Sequence, residues 1–222
     1  GNPTTPDGAQ VINLSLSTPR RTSLLDEVVR AVTCVNLPES PVDDGDDDDD
    51  DDGDDDDDGD GDEGDTDEGG GENDTITRTL AQQDEQANCE TIGTGVVVTA
   101  AAGNRGSDAP EYPAAEEIEG LLAVAASTRD DQISPTSSIG AWVDVAAPGV
   151  DIISTMPAGA YAAWSGTSMA SALAAGHAAL VRSIEPMLRP EDVVERIVMT
   201  SSAMDGQTLP RIDVVASLTA PS

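Results

Sequence analysis

Residues Ser165-Gly166-Thr167-Ser168-Met169-Ala170-Ser171 close a Gly/Pro-rich stretch and open a small-residue helix expected over 168–184. This run constrains the chain most. A serine in the first turn of a helix, approached through Gly-Thr, has an exposed hydroxyl and a backbone N–H that no helical carbonyl can accept. That is the placement a nucleophile requires. The helix N-terminus adds positive potential where an oxyanion would develop. The competing reading is a plain helix cap, since small polar residues favour that position.

A second run stands upstream, Val96-Val97-Val98-Thr99-Ala100-Ala101-Ala102-Gly103-Asn104-Arg105-Gly106. Its β-branched start reads as a buried strand. The small residues that follow would let another backbone approach. An Asn between them and a glycine can turn its side-chain amide toward an oxyanion. Alone, Asn104 could equally be a turn residue.

Together these runs resemble the subtilisin-like serine proteases, and further segments fit in the same order. They are Val11-Ile12-Asn13-Leu14-Ser15-Leu16, Tyr112-Pro113-Ala114-Ala115, Leu121-Leu122-Ala123-Val124-Ala125-Ala126, Asp144 to Thr155, and Arg211 to Leu218. The resemblance covers residues 9–36 and 87–219. It implies an α/β fold: a partial subtilisin-like three-layer arrangement around a parallel sheet. It also implies a serine endopeptidase with Ser168 as nucleophile and Asn104 in the oxyanion hole. Substrate would lie between Ser15-Leu16-Ser17 and Ala101-Ala102-Gly103, with Glu111 at the floor of the primary pocket. A carboxylate there would favour a basic side chain. The short loop before Glu111 leaves open a register in which it faces solvent instead. Ser17 and the Ala172-Leu173 pair depart from the family pattern, which has Gly and Pro-His there.

The family triad runs Asp, His, Ser, and neither the Asp nor the His motif occurs in these residues. The only histidine, His177, lies nine residues beyond Ser168 on one expected helix. That separation is about 13.5 Å along the axis and roughly half a turn of phase, far outside proton-transfer reach. The resemblance therefore implies that the missing partners lie upstream, in an N-terminal half of the same domain. This chain would be the C-terminal half, inactive alone.

The formal charge of −34 is unevenly spread. Residues 43–74 hold 22 of the 44 acids and no basic residue, and the chain has no lysine. Such an Asp/Gly tract cannot bury apolar surface and is expected to be a disordered insertion. It separates residues 1–42 from 75–222 of one catalytic domain. Asp54, Asp56, Asp58, Gly59 and Asp65 match much of a calcium-loop spacing. A nearly pure Asp/Gly run produces that match by composition, so loose calcium binding is the only metal expectation and no ordered metal site or required cofactor is expected. The acidic surface fits a salt-adapted or high-GC source and argues against nucleic acid as partner. No membrane partner is expected; peptides and the upstream half of the domain are.

Cys34 and Cys89, the only cysteines, bracket the insertion. The resemblance implies secretion, where disulfides persist, so they are expected to pair. Closing a loop of that size is worth about 4 kcal/mol in the chain-entropy model. The alternative is two buried thiols.

Strands are expected at 10–16, 94–101, 121–126, 142–146 and 150–154, and helices at 22–35, 168–184 and 190–201. Thr22 or Ser23 should cap the first helix, and Pro190 should open the last. Two other functions fit part of the pattern. One is a peptide-binding protein on a decayed protease fold. The other is an acidic, calcium-binding surface protein.

Overall fold

The computed structural model describes residues 9–34 and 95–221. These residues belong to one compact unit. The acidic tract 43–74 and Cys89 lie outside the described residues.

A four-stranded parallel sheet runs in the order β1 (Val11–Leu14), β2 (Val97–Ala101), β3 (Leu121–Ser127), β4 (Val145–Pro148). Register aligns Leu14 with Ala100, Ala100 with Ala123, and Val124 with Val145. β2 and β3 are buried along their whole length. Their near-continuous apolar sequences follow from this, because a parallel strand covered on both faces has no polar side.

Three helices cover the sheet. Helix α1 (Ser23–Thr33) brings Val29 onto the face that presents Val98, Ala100, Leu121 and Ala123. Helices α2 (Thr167–Ile184) and α3 (Pro190–Thr200) cover the opposite face, which presents Val97, Leu122, Val124 and Val145. Ala170, Ala174 and Ala178 recur every four residues and are fully buried. Their small side chains form one stripe that lets α2 sit close over the strands. Helix α2 runs unbroken through Ala172-Leu173. The expected α/β arrangement of helix, parallel sheet and helix is therefore present.

The structure corrects several boundaries. β1 stops at Leu14 because Ser15–Ser17 leave the sheet; Thr18 instead exchanges two backbone hydrogen bonds with Tyr112, each 2.8 Å. β4 starts three residues later than expected, since Val143 N donates to Gly140 O in a turn. The expected strand near 150–154 is β5 (Ile152–Met156), and it belongs to a separate antiparallel hairpin with β6 (Ala160–Trp164). β6 was not expected, because its Ala-rich sequence carries little strand signal. Thr22 does cap α1, accepting from Leu25 N. α1 ends at Thr33, with Cys34 in the left-handed region at φ 57°. A short unexpected helix, α4 (Val214–Thr219), is capped by the Asp213 carboxylate.

His177 is buried on α2, 2% exposed, with neither ring nitrogen hydrogen-bonded. Burial lowers its pKa, and Asp213 opposes that shift only in part. The unfolded chain therefore takes up a proton first as pH falls. The stability that neutral His177 contributes is full above the unfolded value, about 6.5, and is lost progressively below it. Asp144 and Glu116, whose pKa values burial raises, contribute stability of the opposite sign as pH falls. The His177 contribution is therefore read by comparison: in denaturant unfolding between pH 7 and pH 5, His177→Ala should lose less stability, or gain more, than the parent, whatever its effect at pH 7.

Candidate active site

β1 and β2 are parallel neighbours, so the segments that follow them, 15–18 and 102–105, leave the same end of the sheet side by side. Carboxyl ends of parallel strands are the usual place for ligand clefts in α/β folds. The N-terminus of α2 arrives at this end. Ser168 is half-buried, with its Oγ donating to Ser15 O at 3.3 Å. In return Ser15 Oγ donates to Ser168 O at 3.0 Å. Ser168 is the second residue of α2, so its N–H has no helical partner.

Asn104 is exposed, and its orientation is set by α2. Its Oδ1 accepts from Thr167 N at 2.9 Å and from Thr167 Oγ1 at 3.2 Å. Thr167 Oγ1 itself accepts from Gly103 N at 3.1 Å. With Oδ1 committed to the helix, the free end of the Asn104 amide is its Nδ2 donor pair. Gly166 makes this approach feasible. It sits at φ 153°, and a Cβ there would lie 3.2 Å from Asn104 Oδ1. Asn104 is thus bonded to the residue that precedes Ser168; an amide donor and a helix N-terminal N–H near one hydroxyl are the set that acyl transfer uses for its developing oxyanion.

Glu111 is buried, 2% exposed. Ser17 Oγ donates to its Oε2 at 2.8 Å and Ser138 Oγ to its Oε1 at 2.6 Å. The carboxylate lies directly against Gly103; a Cβ on that residue would come within 2.3 Å of it. Glu111 thus joins the end of β1 to the end of β2. The turn that carries it is held by Ala115 N donating to Glu111 O, 2.9 Å, and by an ion pair of 2.7 Å between Arg21 and buried Glu116.

Ser168, Asn104, Ser15, Leu16, Ser17, Ala101, Ala102, Gly103 and Glu111 therefore meet at one end of the sheet. Cys34 sits apart, at the end of α1. Three further residues belong to the constellation and were not singled out from the sequence: Thr167, Ser138 and Arg105. Thr167 lay inside the Ser-Gly-Thr-Ser run, but its bond to Asn104 depends on the fold. Ser138, in a loop with no motif, carried no signal.

The Subtilase family profile matches residues 2–214, and the chain belongs to that family. It is 52% identical over 89 residues to a thermophilic serine proteinase of Bacillus sp. (strain AK1), covering 40% of this chain and 22% of the relative. It is 42% identical over 115 residues to Subtilisin NAT of Bacillus subtilis subsp. natto, covering 50% of this chain and 30% of that protein. The chain thus spans less than a third of the length of either relative. Among solved structures, a protease from Pseudoalteromonas arctica PAMC 21717 superposes with TM-score 0.53 at 26% identity, over 62% of this chain and 46% of that one. The self-cleaved protease domain of PatA gives 0.52 at 27% identity, over 63% and 54%.

Proposed function

We propose that the protein is a serine endopeptidase with Ser168 as its nucleophile. Ser168 Oγ attacks the peptide carbonyl carbon and its proton passes to a histidine base. The tetrahedral oxyanion rests on Asn104 Nδ2 and the Ser168 N–H. Collapse expels the amine, which takes the proton, and leaves an acyl-enzyme that water hydrolyses. His177, nine residues along the same helix and buried, is not placed to be that base, and we take the histidine and its orienting carboxylate from a part of the domain outside these 222 residues. These residues alone are inactive.

The observation that carries this reading is the bond pair from Thr167 to Asn104 Oδ1, which fixes the Asn104 amide against the residue preceding Ser168. The segment that follows β1, where Leu16 is 50% exposed, would receive an extended peptide by backbone pairing. Glu111 gives the primary pocket a buried negative charge and a preference for basic side chains. We further propose secretion, a Cys34–Cys89 disulfide and loose calcium binding by the acidic tract. Among the described residues no helix is long and apolar enough to cross a membrane.

The test is a fluorophosphonate probe on the protein with its complete catalytic domain, followed by peptide mapping. The expected result is one adduct, on the peptide that contains Ser168. An unlabelled Ser168 in a protein that still binds peptide would replace the protease reading with a peptide-binding one.

A further inference from the structure

The Glu111 carboxylate is shared by three groups. Two are the neutral hydroxyls of Ser17 and Ser138. The third is Arg105, whose Nε lies 3.8 Å from Oε2. The two partners differ in access. The Glu111 side chain is 2% exposed, whereas that of Arg105 is 54% exposed. Arg105 also follows Asn104 directly, and its backbone N–H donates to Ser138 Oγ at 3.2 Å. Its main chain is therefore fixed to the same network, while its guanidinium can swing into water. Beside the pair lies an open pocket of about 250 Å³, bordered by Arg105, Ser107, Pro110, Glu111 and Tyr112.

We infer that Arg105 is a displaceable internal counter-ion, occupying the place beside Glu111 that the cationic group of an arginine or lysine substrate would take. This rests on the protease reading and on Glu111 as pocket floor. A buried carboxylate without a cation is costly, and a tethered guanidinium competes at high effective concentration. A basic side chain thus enters by exchanging one cation for another. A neutral side chain enters with Arg105 in place, so Glu111 is never left alone. Arg105 widens the range of side chains accepted and mutes the preference for arginine and lysine.

The experiment uses the protein with its complete catalytic domain and peptides differing only in the residue before the scissile bond. The readout is the ratio of kcat/KM for arginine over leucine. Arg105→Gln is expected to raise this ratio about tenfold, the scale of one partly screened charge pair near 4 Å. The same substitution in a Glu111→Gln background should leave the ratio unchanged. If Glu111→Gln does not fold, salt provides the second measurement. The raised ratio of Arg105→Gln should fall as NaCl increases, more steeply than in the parent. An unchanged or lowered ratio in Arg105→Gln overturns the inference. So does selective loss of cleavage after glutamate, which would make Arg105 a reader of acidic side chains. A parent that cleaves no peptide and leaves Ser168 unlabelled fails the protease reading instead.

Discussion

Asn104→Ala is expected to lower kcat by about 10²–10³ in the complete catalytic domain, with KM changed much less. That range is the cost known for loss of this donor in subtilisin itself, and it is carried here to Asn104 on the geometry. The side chain is exposed, so truncation removes little packing. Its Oδ1 bonds to Thr167 N and Oγ1 are lost as well, but α2 keeps its place through the buried Ala170, Ala174 and Ala178. The main loss therefore falls on the oxyanion, which exists in the transition state and not in the bound substrate. Interactions of that kind govern kcat. Steady-state kinetics on one peptide, with thermal unfolding as a folding control, make the measurement. A KM effect as large as the kcat effect would place Asn104 in ground-state binding and count against its oxyanion role.

How much of this was legible in the sequence depends on how local each signal is. The Val96–Val98 run and the 121–126 run announced β2 and β3, because a strand buried on both faces has nowhere for a polar residue. Ser168 and Asn104 each had an ordinary local reading, a helix cap and a turn residue, and only the order of several motifs along the chain singled them out; the structure puts the loop after β2 against the first residue of α2. What was not legible is tertiary. Glu111 could be placed beside Gly103 only once Thr18 and Tyr112 were seen to pair. Arg105 and Ser138 have no pattern of their own and acquire meaning only from the carboxylate they surround. β6 was hidden for another reason: an Ala-Tyr-Ala-Ala-Trp run satisfies strand and loop about equally, and the hairpin pairing with β5 decides between them.

Arg182→Ala should destabilise the folded domain by about 3 kcal/mol. Arg182 is 1% exposed on α2, and its Nη2 donates to Gly95 O at 2.9 Å. Burial pulls its pKa down and Glu191 opposes that only in part. Gly95 leads into β2, and its neighbour Val96 N donates to Val32 O at 2.9 Å, near the end of α1. The two bonds fasten the start of the central strand to the helices on either face of the sheet. Truncating Arg182 leaves the buried Gly95 carbonyl without this donor and removes a fully buried side chain. Arg182→Lys should recover less than half of the loss, because an ammonium on a shorter stem cannot reproduce the planar fork. Urea unfolding of parent and variants checks this through the midpoint at constant m-value. A shift equivalent to less than about 0.5 kcal/mol for Arg182→Ala, the scale of an ordinary surface substitution, would mean that the attachment of β2 rests on its apolar contacts and not on this bond.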